Sequence, residues 1–296
     1  MTPPVSTSPT TPARLPSGPD APAGRSPKGR HHRRRSRGRL PLLLAIAGLT
    51  VGGLLLDVLR SAPPRTPVPP PLGVPGDWHL LFHDEFDGPS RAAVWRTGWR
   101  TDGVTVGANS RERSCYDPRQ VTQRAGSLRL TAIAEMQSCG GRVQPYSSGM
   151  VTTDGRFHFT YGTMEARIRL PGTPDGSIAN WPAFWADGRN WPVDGEIDVV
   201  EGVSGGASWH LHYSDGDLGG VAAGSWGGGW HTYSARWDPG VLTFYYDGHE
   251  VGTITSGVTS QPMYLILDHA VLSSLGNRLT RVPAEMEIDY VRVWRR

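Results

Sequence analysis

Short segments in which apolar and polar side chains alternate recur from residue 77 to the end of the chain, and turn signals separate them. That pattern predicts an all-β sandwich. Ser127-Leu128-Arg129-Leu130-Thr131-Ala132 alternates, and so does Met164-Glu165-Ala166-Arg167-Ile168-Arg169-Leu170, with apolar residues on one face and charged ones on the other. Trp237-Asp238-Pro239-Gly240 reads as a turn leading into a strand over Val241–Tyr246. Asp247-Gly248 then supplies a two-residue hairpin turn before residues 250–254. Residues 286–294 form a closing strand. Helical signals are scarce and no fixed-period repeat is present, so residues 77–296 are expected to form one domain around one core.

What precedes residue 77 has a different composition. Residues 1–39 are rich in Pro, Ser, Thr and Arg with almost nothing apolar to bury, the signature of a disordered basic tail. An apolar stretch from Leu40 to Leu56 follows, within a segment 40–59 that suits a signal-anchor transmembrane helix or a signal peptide. Ala-x-Ala-type cleavage chemistry is poor after it, because Asp57 to Arg65 offers Arg, Leu and Pro where small residues are wanted, which favours an uncleaved anchor. The positive-inside rule keeps the tail in the cytoplasm and everything beyond Arg60 outside. Residues 60–76 are Pro-rich and read as a stiff linker.

Charge follows the same division. Residues 1–60 hold ten basic and two acidic side chains, a surplus of +8, and with the whole chain at +3 the remainder carries −5. The basic pI thus belongs to the tail and does not indicate a nucleic-acid-binding domain. All 11 Trp lie beyond residue 77, and an acidic, Trp-rich body suits a neutral, ring-stacking ligand better than a polyanion. Two cysteines, Cys115 and Cys139, fall in the exported part, where an oxidising compartment permits a bridge; unpaired thiols are the alternative.

The chemistry concentrates in Gly195-Glu196-Ile197-Asp198-Val199-Val200-Glu201-Gly202. On a regular strand Glu196 and Asp198 share a face, whereas the odd offset of Glu201 sends it to the other. A β-bulge within residues 197–200 returns Glu201 to the same side. The two Glu backbones are then ~13 Å apart, and their inward-leaning side chains bring the carboxyls to ~5 Å, the separation of a retaining glycosidase. A solvated acidic strand is the blander alternative, disfavoured because the intervening residues are apolar. A metal site of three carboxylates is the other alternative, and no His or Asn sits at ligand spacing within the strand.

This segment resembles the Glu-x-Asp-x-x-Glu signature of glycoside hydrolase family 16, in the bulged form of its laminarinase-like members. The likeness extends through Phe82-His83-Asp84-Glu85-Phe86-Asp87-Gly88, Ser148-Gly149-Met150, Tyr161-Gly162-Thr163-Met164-Glu165-Ala166-Arg167 and Trp181-Pro182-Ala183-Phe184-Trp185. It continues through Trp230-His231-Thr232-Tyr233 and Ile288-Asp289-Tyr290-Val291-Arg292-Val293. The resemblance implies a curved two-sheet jelly-roll sandwich, concanavalin-like, with an open polysaccharide cleft. It also implies Glu196 as nucleophile, Asp198 as its assistant and Glu201 as acid/base. Trp191, Trp181, Trp185, Arg167, His212 and Asn109 become candidate sugar contacts. Glu85, the carbonyl of Gly126 and Asp289 resemble a calcium site that would tie the chain ends together, while the chemistry itself requires no cofactor. One departure concerns specificity: family members usually continue residues 265–267 with Asn-Leu-Ala, and this chain has Asp268-His269-Ala270.

The expected function is retaining, endo-acting hydrolysis of a β-linked polysaccharide, β-1,3-glucan first among them. The enzyme is expected to be a monomer without nucleic-acid partners, tethered to the membrane or secreted if the apolar segment is cleaved. Two alternatives stand beside it: a transglycosylase or hydrolase of the cell's own surface polysaccharide, and a lectin-like binding module. Binding-only relatives typically lose the catalytic Glu pair, and both Glu are present here.

Overall fold

The computed structural model describes residues 67–272 and 278–296. The tail and the apolar stretch 40–56 lie outside the described residues, as does the first part of the linker. Among the described residues no helix is long and apolar enough to cross a membrane.

The first ten strands are β1 (His79–Asp84), β2 (Arg96–Thr97), β3 (Thr105–Val106), β4 (Ser114–Tyr116), β5 (Val121–Arg124), β6 (Ser127–Ala132), β7 (Gln137–Cys139), β8 (Arg142–Gln144), β9 (Tyr146–Ser148) and β10 (Met150–Thr152). The next ten are β11 (Gly162–Arg169), β12 (Trp181–Gly188), β13 (Glu196–Glu201), β14 (Ala207–Tyr213), β15 (Gly216–Ala222), β16 (Trp230–Asp238), β17 (Val241–Tyr246), β18 (His249–Ile254), β19 (Met263–Ala270) and β20 (Ala284–Arg295). Two 3₁₀ turns, Pro118–Gln120 and Val203–Gly205, are the helical elements among the described residues.

Two large antiparallel sheets form the sandwich. One runs β18-β17-β16-β11-β20-β6-β5, with β1 added along β20, and the other runs β15-β14-β13-β12-β19-β10-β2. The alternation read from the sequence explains the layering. Met164, Ala166 and Ile168 of β11 and Leu242, Phe244 and Tyr246 of β17 point into the same core as Phe184 of β12, Ile197 of β13, Leu211 of β14 and Leu265 of β19. Each such large side chain contributes ~1.5–3 kcal/mol on burial. The seven-stranded sheet is also apolar on its far face, where Met150, Ala183, Trp185, Tyr264, Ile266 and Ala270 form a second cluster. Met263–Ala270 lies between β12 and β10 and is buried throughout: residues 263–267 form the continuous apolar run of a strand covered on both faces, and Asp268 and His269 are buried with hydrogen-bond partners.

Local details follow expectation at several points. Asp247 and Gly248 take positive φ, 49° and 78°, as the two-residue hairpin between β17 and β18 requires. Cys115 of β4 and Cys139 of β7 form a disulfide. The linker differs from its expectation in its second half. Val74 is buried, the Leu72 amide donates to Glu165 Oε2 at 2.8 Å, and Trp78 donates its indole N–H to the Val74 carbonyl. An apolar Val and a buried carboxylate that also accepts from Ser234 and Tyr290 capture this stretch, so the spacer proper ends before residue 71.

Candidate active site

The far face of the seven-stranded sheet carries a cleft of about 560 Å³, lined by Glu196, Asp198 and Glu201 together with Trp181, Trp185, Trp191, His212 and Asn109. The bulge expected in β13 is present. Against β12, Phe184 pairs with Val200 and Trp185 with Asp198, which leaves Val199 as the extra residue. Ile197, Val199 and Val200 all enter the core, and the three carboxylates all face the cleft.

Neighbouring strands then fix each acid. On β14, His212 lies opposite Glu196, His210 opposite Asp198 and Ser208 opposite Glu201. Glu201 accepts a hydrogen bond from the Trp181 indole at 2.8 Å, and its other oxygen lies 2.8 Å from His210 Nδ1. His212 Nε2 is 3.2 Å from Asp198 Oδ2 and 4.0 Å from Glu196 Oε1. The shorter contact lacks hydrogen-bond geometry, so Asp198 Oδ2 is buried without a hydrogen-bond partner.

Burial and mutual repulsion govern protonation. Burial, followed by the charge on Asp198, pushes the Glu196 carboxyl up to about 9. Burial, followed by the charge on Glu201, holds Asp198 well above the usual carboxylate range. Adjacent buried carboxylates cannot all ionise. Asp198 is the deeper group, only 2% exposed, and retains the proton. A neutral Asp198 removes its charge from beside Glu196 and donates a hydrogen bond in its place. Glu196 is then freed to act as a carboxylate.

A second acidic group shapes the wall of the cleft. Tyr116 Oη lies 2.5 Å from Glu112 Oε2 and 2.8 Å from Asp268 Oδ2, and Asp268 Oδ1 accepts the Trp185 indole N–H at 2.7 Å. Burial, followed by the charge on Glu112, raises Asp268 to about 8. Trp185 is thus both core and cleft: its ring is buried, its N–H is anchored, and Trp99 stacks on it with centroids 5.5 Å apart. At the mouth, Trp191 is 55% exposed, and Arg111 lies over the Trp181 ring. Asn109 uses its side-chain oxygen on the Arg111 amide and sits at the rim.

Two expectations require correction. Arg167 does not reach the cleft: β11 belongs to the eight-stranded sheet, and with Ala166 and Ile168 turned into the core, Arg167 faces outward over Trp230 and pairs with Asp289 at 2.8 Å. The carboxylates assigned to calcium have cationic partners instead. Asp289 holds Arg167, and Glu85 takes both oxygens to Arg292 at 2.9 and 2.7 Å. A guanidinium on each acid supplies the charge that the cation was expected to provide, so these residues are not assembled for the metal.

The residues missed by the sequence are Trp99, Arg100, Arg111, Glu112, Asp187 and Asp217, all lining the cleft. Asp187, pushed up to about 6 by burial, accepts a hydrogen bond from Tyr264 at 2.8 Å. The signal for it was its position on the strand carrying Trp181 and Trp185; nothing local marked the others.

A family model described as glycosyl hydrolases family 16 matches residues 109–291. Among similar proteins is a glucan endo-1,3-β-glucosidase A1 of Niallia circulans, 28% identical over 84% of this chain and 44% of its own length. A keratan-sulfate endo-1,4-β-galactosidase of Sphingobacterium multivorum is 28% identical over 74% of this chain and 56% of its own length. The chain thus spans about half the length of these relatives. Among solved structures, the catalytic domain of an endo-1,3-β-glucanase (laminarinase) from Thermotoga petrophila RKU-1 matches with a TM-score of 0.64 at 25% identity, covering 74% of this chain and 98% of that one.

Proposed function

The chain belongs to glycosyl hydrolases family 16, and from that premise we propose that it is a retaining, endo-acting β-1,3-glucanase whose cleft binds an uncharged polysaccharide. The observation that carries this proposal is the bulge at Val199, which brings Glu196 and Glu201 to one face with Asp198 between them.

Each residue then has a distinct task. Glu196 attacks the anomeric carbon, while Glu201 gives its proton to the departing glycosidic oxygen. The Trp181 N–H and His210 stabilise the Glu201 carboxylate left behind. Water enters, Glu201 takes its proton, and the glycosyl ester on Glu196 is released with the configuration retained. Asp198 holds its proton toward Glu196 and lowers the cost of charge on the nucleophile. Trp191 and the Trp99–Trp185 stack offer flat apolar faces to sugar rings, with His212 and Asn109 beside them for hydroxyls.

Cleft charge favours the glucan over a sulfated chain. Seven carboxyl groups line it, namely Glu112, Asp187, Glu196, Asp198, Glu201, Asp217 and Asp268, and with protons on Asp198 and on one of the Glu112–Asp268 pair the acids still outnumber the guanidiniums of Arg100 and Arg111. A polyanion meets repulsion there, whereas a neutral glucan does not. The domain acts outside the cell, consistent with its Cys115–Cys139 bridge.

The deciding experiment incubates the protein with laminarin, mixed-linkage glucan, agarose and carrageenan and follows both product length and first-formed anomer by NMR. Laminarin oligosaccharides released as the β-anomer are expected. An initial α-product, or cleavage confined to a sulfated galactan, would overturn the proposal.

A further inference from the structure

The geometry points to a transition-metal site inside the cleft, formed by His210, His212 and Asp198, that takes a divalent ion of the Zn²⁺ class and switches the enzyme off while bound. The site itself stands on geometry alone; only the inhibitory consequence rests on the glucanase proposal.

Alternation along β14 places both imidazoles on the cleft side, directly opposite the acidic face of β13. His210, His212 and Asp198 each offer one ligand atom, and these atoms lie within 4.8 Å of one another. A tetrahedral zinc ion with ligand bonds of ~2.0–2.2 Å needs its ligand atoms ~3.5 Å apart, a contraction that small imidazole rotations supply. Two nitrogens and one carboxylate oxygen form a donor set suited to Zn²⁺ and Cu²⁺, not to Ca²⁺ or Mg²⁺, which require more oxygens.

A second observation points to a ligand. Asp198 Oδ2 is buried, faces the cleft and has no hydrogen-bond partner, though His212 Nε2 is 3.2 Å away. An unpartnered oxygen beside an imidazole nitrogen leaves two lone pairs converging on one point, which a cation would satisfy. Glu201, 2.8 Å from His210 Nδ1, supplies the carboxylate partner that metal-bound imidazoles commonly have, or a fourth ligand.

Occupancy has a defined chemical consequence. Coordination takes the Asp198 carboxylate and two imidazole lone pairs, so any proton on those atoms is released to solvent. Asp198 then has no proton for Glu196, and the ion lies where the scissile bond must be held. No covalent bond is made, and a chelator reverses the state.

The test uses the full chain, purified without a polyhistidine tag and stripped with a chelator. Equilibrium dialysis against Zn²⁺ should load one ion per chain. The double variant His210→Asn/His212→Asn should lose roughly tenfold or more in affinity, with folding verified by far-ultraviolet circular dichroism. Should that variant fail to fold, His212→Asn alone takes its place. Cu²⁺ loaded into the wild type should show electron paramagnetic couplings to two imidazole nitrogens. No Zn²⁺ uptake, uptake undiminished by the substitutions, or Cu²⁺ without nitrogen coupling would overturn the site. Zn²⁺ should also suppress laminarin turnover, with recovery on adding chelator; bound Zn²⁺ that leaves turnover intact would overturn the inhibition. A protein inactive on every glycan fails the glucanase proposal, and the dialysis result still decides the site.

Discussion

Trp185 donates its indole N–H to Asp268 across 2.7 Å, and this bond sets a proton count for the wall of the cleft. The other Asp268 oxygen contacts Tyr116 Oη, which also contacts Glu112. One hydroxyl carries one proton, so one of the two carboxyls must carry another to complete the chain of bonds. Asp268→Asn removes that requirement: the amide oxygen accepts from Trp185, the amide nitrogen donates to Tyr116, and Tyr116 donates to an ionised Glu112.

The pH dependence follows in sign. An acid raised from an ordinary value to about 8 contributes stability that is full below its unfolded pKa and lost as pH rises toward the folded one. Wild-type melting temperature should therefore fall between pH 6 and 8.5 more steeply than that of Asp268→Asn. The gap at pH 8.5 should correspond to roughly 1–3 kcal/mol, the cost of a buried polar group left badly satisfied. Parallel melting curves across that range would contradict the shared-proton network.

How far the site was legible in the sequence depends on the range of each interaction. The bulge could be read because the odd offset between Asp198 and Glu201 conflicts with strand alternation over a few residues. Alternation also gave the outward face of Arg167, but not the sheet on which β11 lies, and that choice removes Arg167 from the cleft. The Tyr116–Asp268 contact joins residues 152 apart in sequence, with no local signal at either end. Nothing local distinguishes His210 in the sequence, yet cross-strand register with β13 gives it the bond to Glu201.

Sheet assignment has a kinetic consequence. Trp191→Ala removes an exposed ring at the cleft mouth and should raise KM for laminarin by roughly 2- to 10-fold, the worth of an aromatic contact of ~0.5–1.5 kcal/mol. Arg167→Ala, on the opposite sheet, should leave KM unchanged. Initial-rate measurements separate the two, and a KM effect from Arg167 would place substrate where the structure does not.

Core packing offers an independent check on the fold. Gly252 of β18 faces Trp209 of β14, and a methyl added at Gly252 would stand 2.0 Å from Cζ2 of that ring. The indole is already stacked on Phe244 at 4.9 Å and has little room to retreat. Gly252→Ala should cost ~1–3 kcal/mol by overpacking, read as a lower urea midpoint with an unchanged slope. Unaltered stability would mean that β18 does not cover Trp209 as described.

Glu196→Gln keeps the shape of the nucleophile and removes its charge. Activity on laminarin should fall by ~10³-fold or more while the fold persists. Because burial and the neighbouring Asp198 charge both disfavour an ionised Glu196, the carboxylate that the nucleophile must carry costs the wild type stability, whereas the neutral amide carries no such cost. The variant should therefore melt at or above the wild-type temperature at pH 8. Near-normal turnover would remove Glu196 from the nucleophilic role.

Glu201→Ala separates the acid/base from the nucleophile by chemistry. An aryl glycoside with a good leaving group departs without a proton, so the first step survives, and the glycosyl ester on Glu196 then accumulates because nothing activates water. Azide needs no base and enters the space vacated by the carboxylate, which the Trp181 N–H and His210 still line. Added azide should accelerate turnover and yield the β-glycosyl azide, the product of two inversions. An α-azide from this variant would show direct displacement without a glycosyl ester, and a β-azide from Glu196→Ala instead would exchange the two roles.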